Sequence, residues 1–87
     1  MKLLFCFKCN DIVSLLREPR ACRCGGTSGR YLEDDIHAEF TGDGCLLGIS
    51  NDSFTEAIKW YKQNHNISLG FSAFVIADSA TTAKRLG

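Results

Sequence analysis

No stretch of this 87-residue chain approaches the ~20 consecutive apolar residues of a membrane-spanning helix, which excludes that class of protein. Proline occurs once, and there is no internal repeat, low-complexity tract or linker long enough to separate two domains. Net charge is zero, and Lys and Arg nowhere cluster with interleaved aromatics, so the strongly basic face of a dedicated nucleic-acid binder is missing. There is no phosphate loop and no nucleophile–base pair in workable register. These absences point away from an enzyme. The apolar run around Cys6 is far too short for an export signal, is broken by Lys8 just after the cysteine and places bulky Phe5 directly ahead of it, so it is not read as one, and a cytoplasmic location is expected.

What the chain does have is five cysteines, eight glycines and 45% hydrophobic residues, a globular composition. One domain over residues 1–87 is expected. A chain of this size buries only about three-fifths of its unfolded surface, so its core is marginal without help. A bound metal would supply it.

Cys6-Phe7-Lys8-Cys9 is a pair whose two-residue spacing can bend into a knuckle that places both sulfurs on one metal. Cys22-Arg23-Cys24-Gly25 forms a second pair, one residue tighter. Residues i and i+2 of an extended segment project to one side, so these sulfurs can still converge, and Gly25 allows the chain to turn away. The twelve residues between Cys9 and Cys22 suffice for an out-and-back hairpin. Four thiolates would close the coordination sphere of one Zn2+ and leave no position for water, a structural rather than a hydrolytic site. Iron would accept the same ligands. A thioredoxin-type redox pair would need Cys-x-x-Cys at a helix start, whereas Cys9 leads into the β-type run Ile12–Leu16.

On Cys6-x-x-Cys9 and Cys22-x-Cys24-Gly25, residues 3–32 resemble the zinc-ribbon group with rubredoxin-like knuckles. The second spacing departs from that group's commonest form. The order of motifs through Gly29-Arg30-Tyr31-Leu32 and Leu47–Phe54 is also similar to small uncharacterised zinc-ribbon proteins of bacteria and phages, a likeness that assigns no activity.

The fold class expected is α+β: a zinc ribbon over 1–32, then a β-hairpin, one amphipathic helix and a C-terminal strand over 33–80, and a frayed tail over 81–87. Within the ribbon, Leu3–Phe5, Ile12–Leu16 and Gly29–Leu32 read as strands. Asp43-Gly44 is a hairpin signal between Ile36–Thr41 and Cys45–Ile49. A two-residue turn there pairs Gly42 with Cys45, Phe40 with Leu47 and Ala38 with Ile49 on one core face. Ser53-Phe54-Thr55-Glu56 fits a capping box, followed by a stripe of Phe54, Ala57, Ile58 and Tyr61 that would pack on the hairpin. Phe71–Ala77 reads as an interior strand.

Other candidates have plainer explanations. The hairpin register puts Cys45 on the core face and His37 on the other, so a buried inert thiol is expected rather than a reactive dyad. Glu33-Asp34-Asp35 reads as a solvated loop, since three consecutive carboxylates cannot all face one cation. His65 suits a helix end. Trp60, off the main stripe, is the expected partner contact.

The function expected is therefore a small non-enzymatic protein-interaction or regulatory module with one structural zinc ion on Cys6, Cys9, Cys22 and Cys24. Nucleic-acid binding is the alternative. Residues 1–30 carry six Lys/Arg against two carboxylates, a local +4, and Lys8, Arg17, Arg20, Arg23 and Arg30 would contact phosphates. Four thiolates on one divalent ion add −2 and weaken that attraction.

Overall fold

The computed structural model describes residues 1–87 and contains eight strands in two four-stranded sheets and one helix. The strands are β1 (Lys2–Cys6), β2 (Ile12–Ser14), β3 (Arg20–Ala21), β4 (Thr27–Tyr31), β5 (Ala38–Gly42) and β6 (Gly44–Ile49). After the helix α1 (Asn51–Gln63) come β7 (Ala73–Ile76) and β8 (Ala83–Arg85). Sheet A runs β2-β1-β6-β7 and sheet B runs β3-β4-β5-β8, and every pairing is antiparallel except β5 with β8.

Alternation along each strand turns one side of each sheet towards a shared core. Leu4 and Cys6 of β1, Val13 of β2 and Leu46 of β6 face Ala38 and Phe40 of β5 and Ala83 of β8. Leu4, Cys6 and Leu46 are wholly inaccessible to solvent. Thr27, the buried polar residue of this interior, donates its hydroxyl to the Thr41 carbonyl at 2.6 Å, so its burial leaves no lone donor. The hydroxyl of Tyr31 accepts the Lys2 backbone N–H at 2.6 Å and ties β4 to β1 across the sheets.

The α+β class holds, but the expected hairpin does not form. Strands arise on either side of Asp43, yet β5 pairs with β4 and β8 while β6 pairs with β1 and β7. A single residue separates the two strands, and the chain passes there from one sheet to the other. The groups a hairpin would have paired go elsewhere: Gly42 N–H to the Gly87 carbonyl at 3.1 Å, and Asp43 N–H to the Gly26 carbonyl at 3.1 Å. Gly42 has φ +94°, a conformation that L side chains rarely adopt. In β6 the inward residues are consequently Gly44, Leu46 and Gly48, not Cys45, Leu47 and Ile49. A one-residue change of parity exchanges the faces of a strand.

Three further expectations are corrected. The helix begins at Asn51 because Ser50, not Ser53, is its N-cap, its hydroxyl accepting the Ser53 N–H; Ser53 instead receives the Ser72 N–H at 2.9 Å. The stripe does not pack on a hairpin: only Ala57 is buried, and Phe54 meets Phe71 of the return segment edge-on at 4.9 Å between ring centres. Helix and return segment thus form an arm on a molecule measuring 44 × 27 × 22 Å. The strand expected over Phe71–Ala77 is the shorter β7, and it lies at the edge of sheet A rather than inside it.

The tail is also ordered, because β8 has a partner. Its Arg85 donates through Nη1 to the Gly42 carbonyl, through Nη2 to the Gly44 carbonyl and through Nε to Asp78, each at 2.8 Å. The guanidinium lies 4.6 Å from the Phe40 ring centre. One side chain thereby grips both ends of the crossover.

A methyl group at Gly44 would lie 2.4 Å from the Phe5 carbonyl oxygen, backbone that cannot move without breaking the β1–β6 ladder, whereas one at Gly70 would meet nothing within 4 Å. Gly44→Ala is expected to destabilise the protein by about 2 kcal/mol or more, and Gly70→Ala to leave stability within about 1 kcal/mol. Urea midpoints of the two variants against the unsubstituted protein measure both.

Candidate metal centre

The four sulfurs of Cys6, Cys9, Cys22 and Cys24 lie within 4.8 Å of one another. Cys6–Cys24 and Cys22–Cys24 are each separated by 3.6 Å. A tetrahedral ion with metal–sulfur bonds of about 2.3 Å needs sulfurs roughly 3.8 Å apart, so the four donors fit one thiolate-preferring ion. These are the residues read from the sequence, and the chain brings all four together. Cys6 and Cys22 are buried, Cys9 is half-buried and Cys24 is exposed.

Local backbone geometry explains the convergence. Cys6 ends β1, and the chain folds back at once: Asn10 N–H donates to the Cys6 carbonyl at 3.0 Å, with Asn10 at φ +59°. The N–H groups of Lys8 and Cys9 then point at Cys6 Sγ at 3.4 and 3.5 Å. Such bonds favour thiolate over thiol and orient a ligand before metal arrives.

The second knuckle converges by another route than the extended segment expected. Cys22–Gly25 is a tight turn closed by Gly25 N–H to the Cys22 carbonyl at 3.0 Å, with Gly25 at φ +76°. Gly26 N–H donates to Cys24 Sγ at 3.4 Å. The short Cys-x-Cys spacing therefore works because the turn, not strand alternation, swings Cys24 back.

Two residues that sequence reasoning passed over hold the knuckles to each other. Asp11 accepts the Arg23 backbone N–H at 2.8 Å and so fixes the second knuckle to the first. Asp43 binds both: its N–H donates to Gly26 beside the second knuckle, and its carbonyl accepts from Phe7 within the first at 3.0 Å. An acidic residue two positions after a Cys-x-x-Cys was the available signal for Asp11; Asp43 had none, because its neighbours read as a hairpin.

Proton affinities within the cluster diverge. Desolvation pushes the Cys22 thiol up, but hydrogen bonds from the Thr27 backbone and the neighbouring sulfurs outweigh it and bring the pKa down to about 6. At Cys9, desolvation is likewise outweighed by backbone hydrogen bonds from the Cys24 and Asp11 segments, and the pKa falls below the ordinary thiol range. At Cys24 the Gly26 N–H favours the thiolate, yet the three adjacent sulfurs retain its proton up to about 11. Like charges crowded together cannot all form without a cation. The cluster is thus partly ionised at neutral pH and needs a positive ion to ionise fully.

The other candidate groups are dispersed. Cys45 sits half-buried on the outer face of sheet A, not in the core, and its apolar surroundings push its thiol pKa up. His37 is in contact with Asp34 at the far end of β5, so the two do not form a dyad. Asp34 turns back to accept the Ile36 and His37 N–H groups at 3.0 and 2.9 Å, and Asp35 makes a two-point ion pair with Arg17 at 2.8 Å. These carboxylates do not converge on a cation. His65 stacks on Tyr61 at 4.8 Å between ring centres. No protein-family model matches the chain, and neither a curated protein nor a solved structure matches it.

Native mass spectrometry is expected to show one metal ion per chain, lost on Cys→Ser at positions 6, 9, 22 or 24 and retained in Cys45→Ser. The pH dependence follows from the thiols: binding displaces the protons held by Cys24 and its neighbours, so affinity rises with pH and falls on acidification. Below pH 6, where Cys22 also takes up its proton, the fall steepens. Competition with a chromophoric chelator at several pH values reads this directly.

Proposed function

We propose that the chain holds one structural zinc ion through Cys6, Cys9, Cys22 and Cys24, and that the domain so stabilised is a non-enzymatic protein-interaction module. The observation that carries the metal reading is the mutual spacing of four sulfurs, two of them buried, around one point. Four protein thiolates satisfy a tetrahedral ion completely, so the ion stabilises the fold and activates no water. Zinc is preferred over iron on the same ligands because it is the usual occupant of structural sites with this knuckle geometry.

The helical arm supports the interaction reading. Trp60 is 46% exposed at its surface, oriented by an Nε1–H bond to Glu56 at 2.8 Å and with the Lys59 ammonium 5.7 Å from its ring centre. A rigid, half-exposed tryptophan is the residue type most often found at the energetic centre of protein interfaces. Nucleic-acid binding ranks lower. Of the five cations it would use, Arg17 is paired with Asp35 and Arg30 with Glu39 at 2.8 Å, which leaves Lys8, Arg20 and Arg23 beside a metal cluster of charge −2.

Affinity capture with the metal-loaded, tagged chain in its own host tests the module. A specific protein is expected to co-purify and to be lost on Trp60→Ala, with metal content unchanged and binding at least about tenfold weaker with the purified pair. Recovery of no specific partner would sink the proposal.

A further inference from the structure

The face of sheet A turned away from sheet B is uncovered and apolar. Phe5 lies opposite Ile12 of β2 on one side and Cys45 of β6 on the other, and Leu47 of β6 lies opposite Val75 of β7. These pairings carry one apolar surface across all four strands. Phe7, edge-on to Phe5 with ring centres 6.0 Å apart, extends it towards the first knuckle. The six side chains line a single shallow depression with no polar group in its wall. Phe7, Ile12 and Val75 remain 52%, 54% and 68% exposed.

Isolated exposed apolar residues are ordinary, but a contiguous patch across a whole sheet is not. A sheet normally buries such a face against another layer. The helix would be the obvious cover, yet it lies along its own return segment and buries only Ala57.

Charge and area indicate the occupant. None of the six residues is charged, so the face has no electrostatic feature with which to select a partner of opposite sign. An uncharged apolar surface meets no electrostatic penalty against a second copy of itself, and a two-fold contact pairs the same patch on both copies. With three large side chains at least half exposed and the rest partly so, the patch presents roughly 400 Å2, and two copies face to face would bury roughly 800 Å2, the size of a weak, reversible contact rather than a permanent one. The edge strand Ala73–Ile76 carries no charge or proline to discourage association and continues the apolar surface to the rim.

We propose that the protein forms a two-fold homodimer in which the open faces of sheet A stack on each other, as the two layers of a β-sandwich do. Cys45 then lies inside the interface. The dimer uses a different surface from the helical arm and does not rest on the interaction reading above.

Sedimentation equilibrium of the metal-loaded chain tests this. The wild type is expected to dimerise reversibly in the micromolar to hundred-micromolar range, and Val75→Glu, at a site already exposed, to weaken dimerisation at least about tenfold while retaining one metal per chain. Ile12→Lys serves equally should Val75→Glu fail to fold. In the wild type, Cys45 alkylation should slow as concentration rises and the pair forms. A chain that stays monomeric across this range overturns the proposal, whatever else binds the face. So does a dimer that survives these variants but dissociates on Trp60→Ala, or a Cys45 alkylation rate independent of concentration.

Discussion

Two hairpins that belong to different sheets are joined at one point by four sulfurs. The β1–β2 hairpin of sheet A contributes Cys6 and Cys9, and the β3–β4 hairpin of sheet B contributes Cys22 and Cys24. A structural zinc ion supplies an apparent binding free energy of about 10–16 kcal/mol, as large as the entire stability of an ordinary domain. In a chain with only a handful of fully buried side chains, an ion held by these four sulfurs would be the strongest single tie between the sheets. The thiol proton affinities express the same constraint. Crowding that makes full ionisation unfavourable for the bare cluster is relieved only by a cation.

Apart from the Tyr31–Lys2 bond at the other end of β1, the side-chain and backbone links between the sheets described above gather around the same point. The chain crosses from sheet B to sheet A at Asp43, whose backbone is bonded to both knuckles, and Arg85 holds the residues on either side of it. Gly42 and Gly44 are needed there because any side chain would strike the backbone of Gly26 or Phe5. The four cysteines, the crossover and the C-terminal strand are therefore tied into one unit.

Away from this unit the protein is thinly built. The helical arm and the open face of sheet A both leave apolar side chains in contact with water. The two surfaces differ in character, one a half-exposed tryptophan with polar neighbours and the other wholly apolar.

Much of the candidate site was legible in the sequence, because metal ligation depends on residue type and short spacing. Two cysteine pairs at hairpin distance name their own ligand set, and the helix and most strands follow from local periodicity. Partner choice between strands was not legible. Asp43-Gly44 carries the local chemistry of a hairpin turn, but β6 pairs on both edges with β1 and β7, and β5 with β4 and β8, and those pairings reversed the parity of β6 and moved Cys45 to the outside. The tail, too, showed no strong strand signal of its own; Ala83–Arg85 became a strand because β5 had a free edge. Local sequence by itself determined the four thiolates and where the chain could turn. Only tertiary structure decided which strands met, since that choice depends on the summed free energy of distant pairings that no local segment encodes.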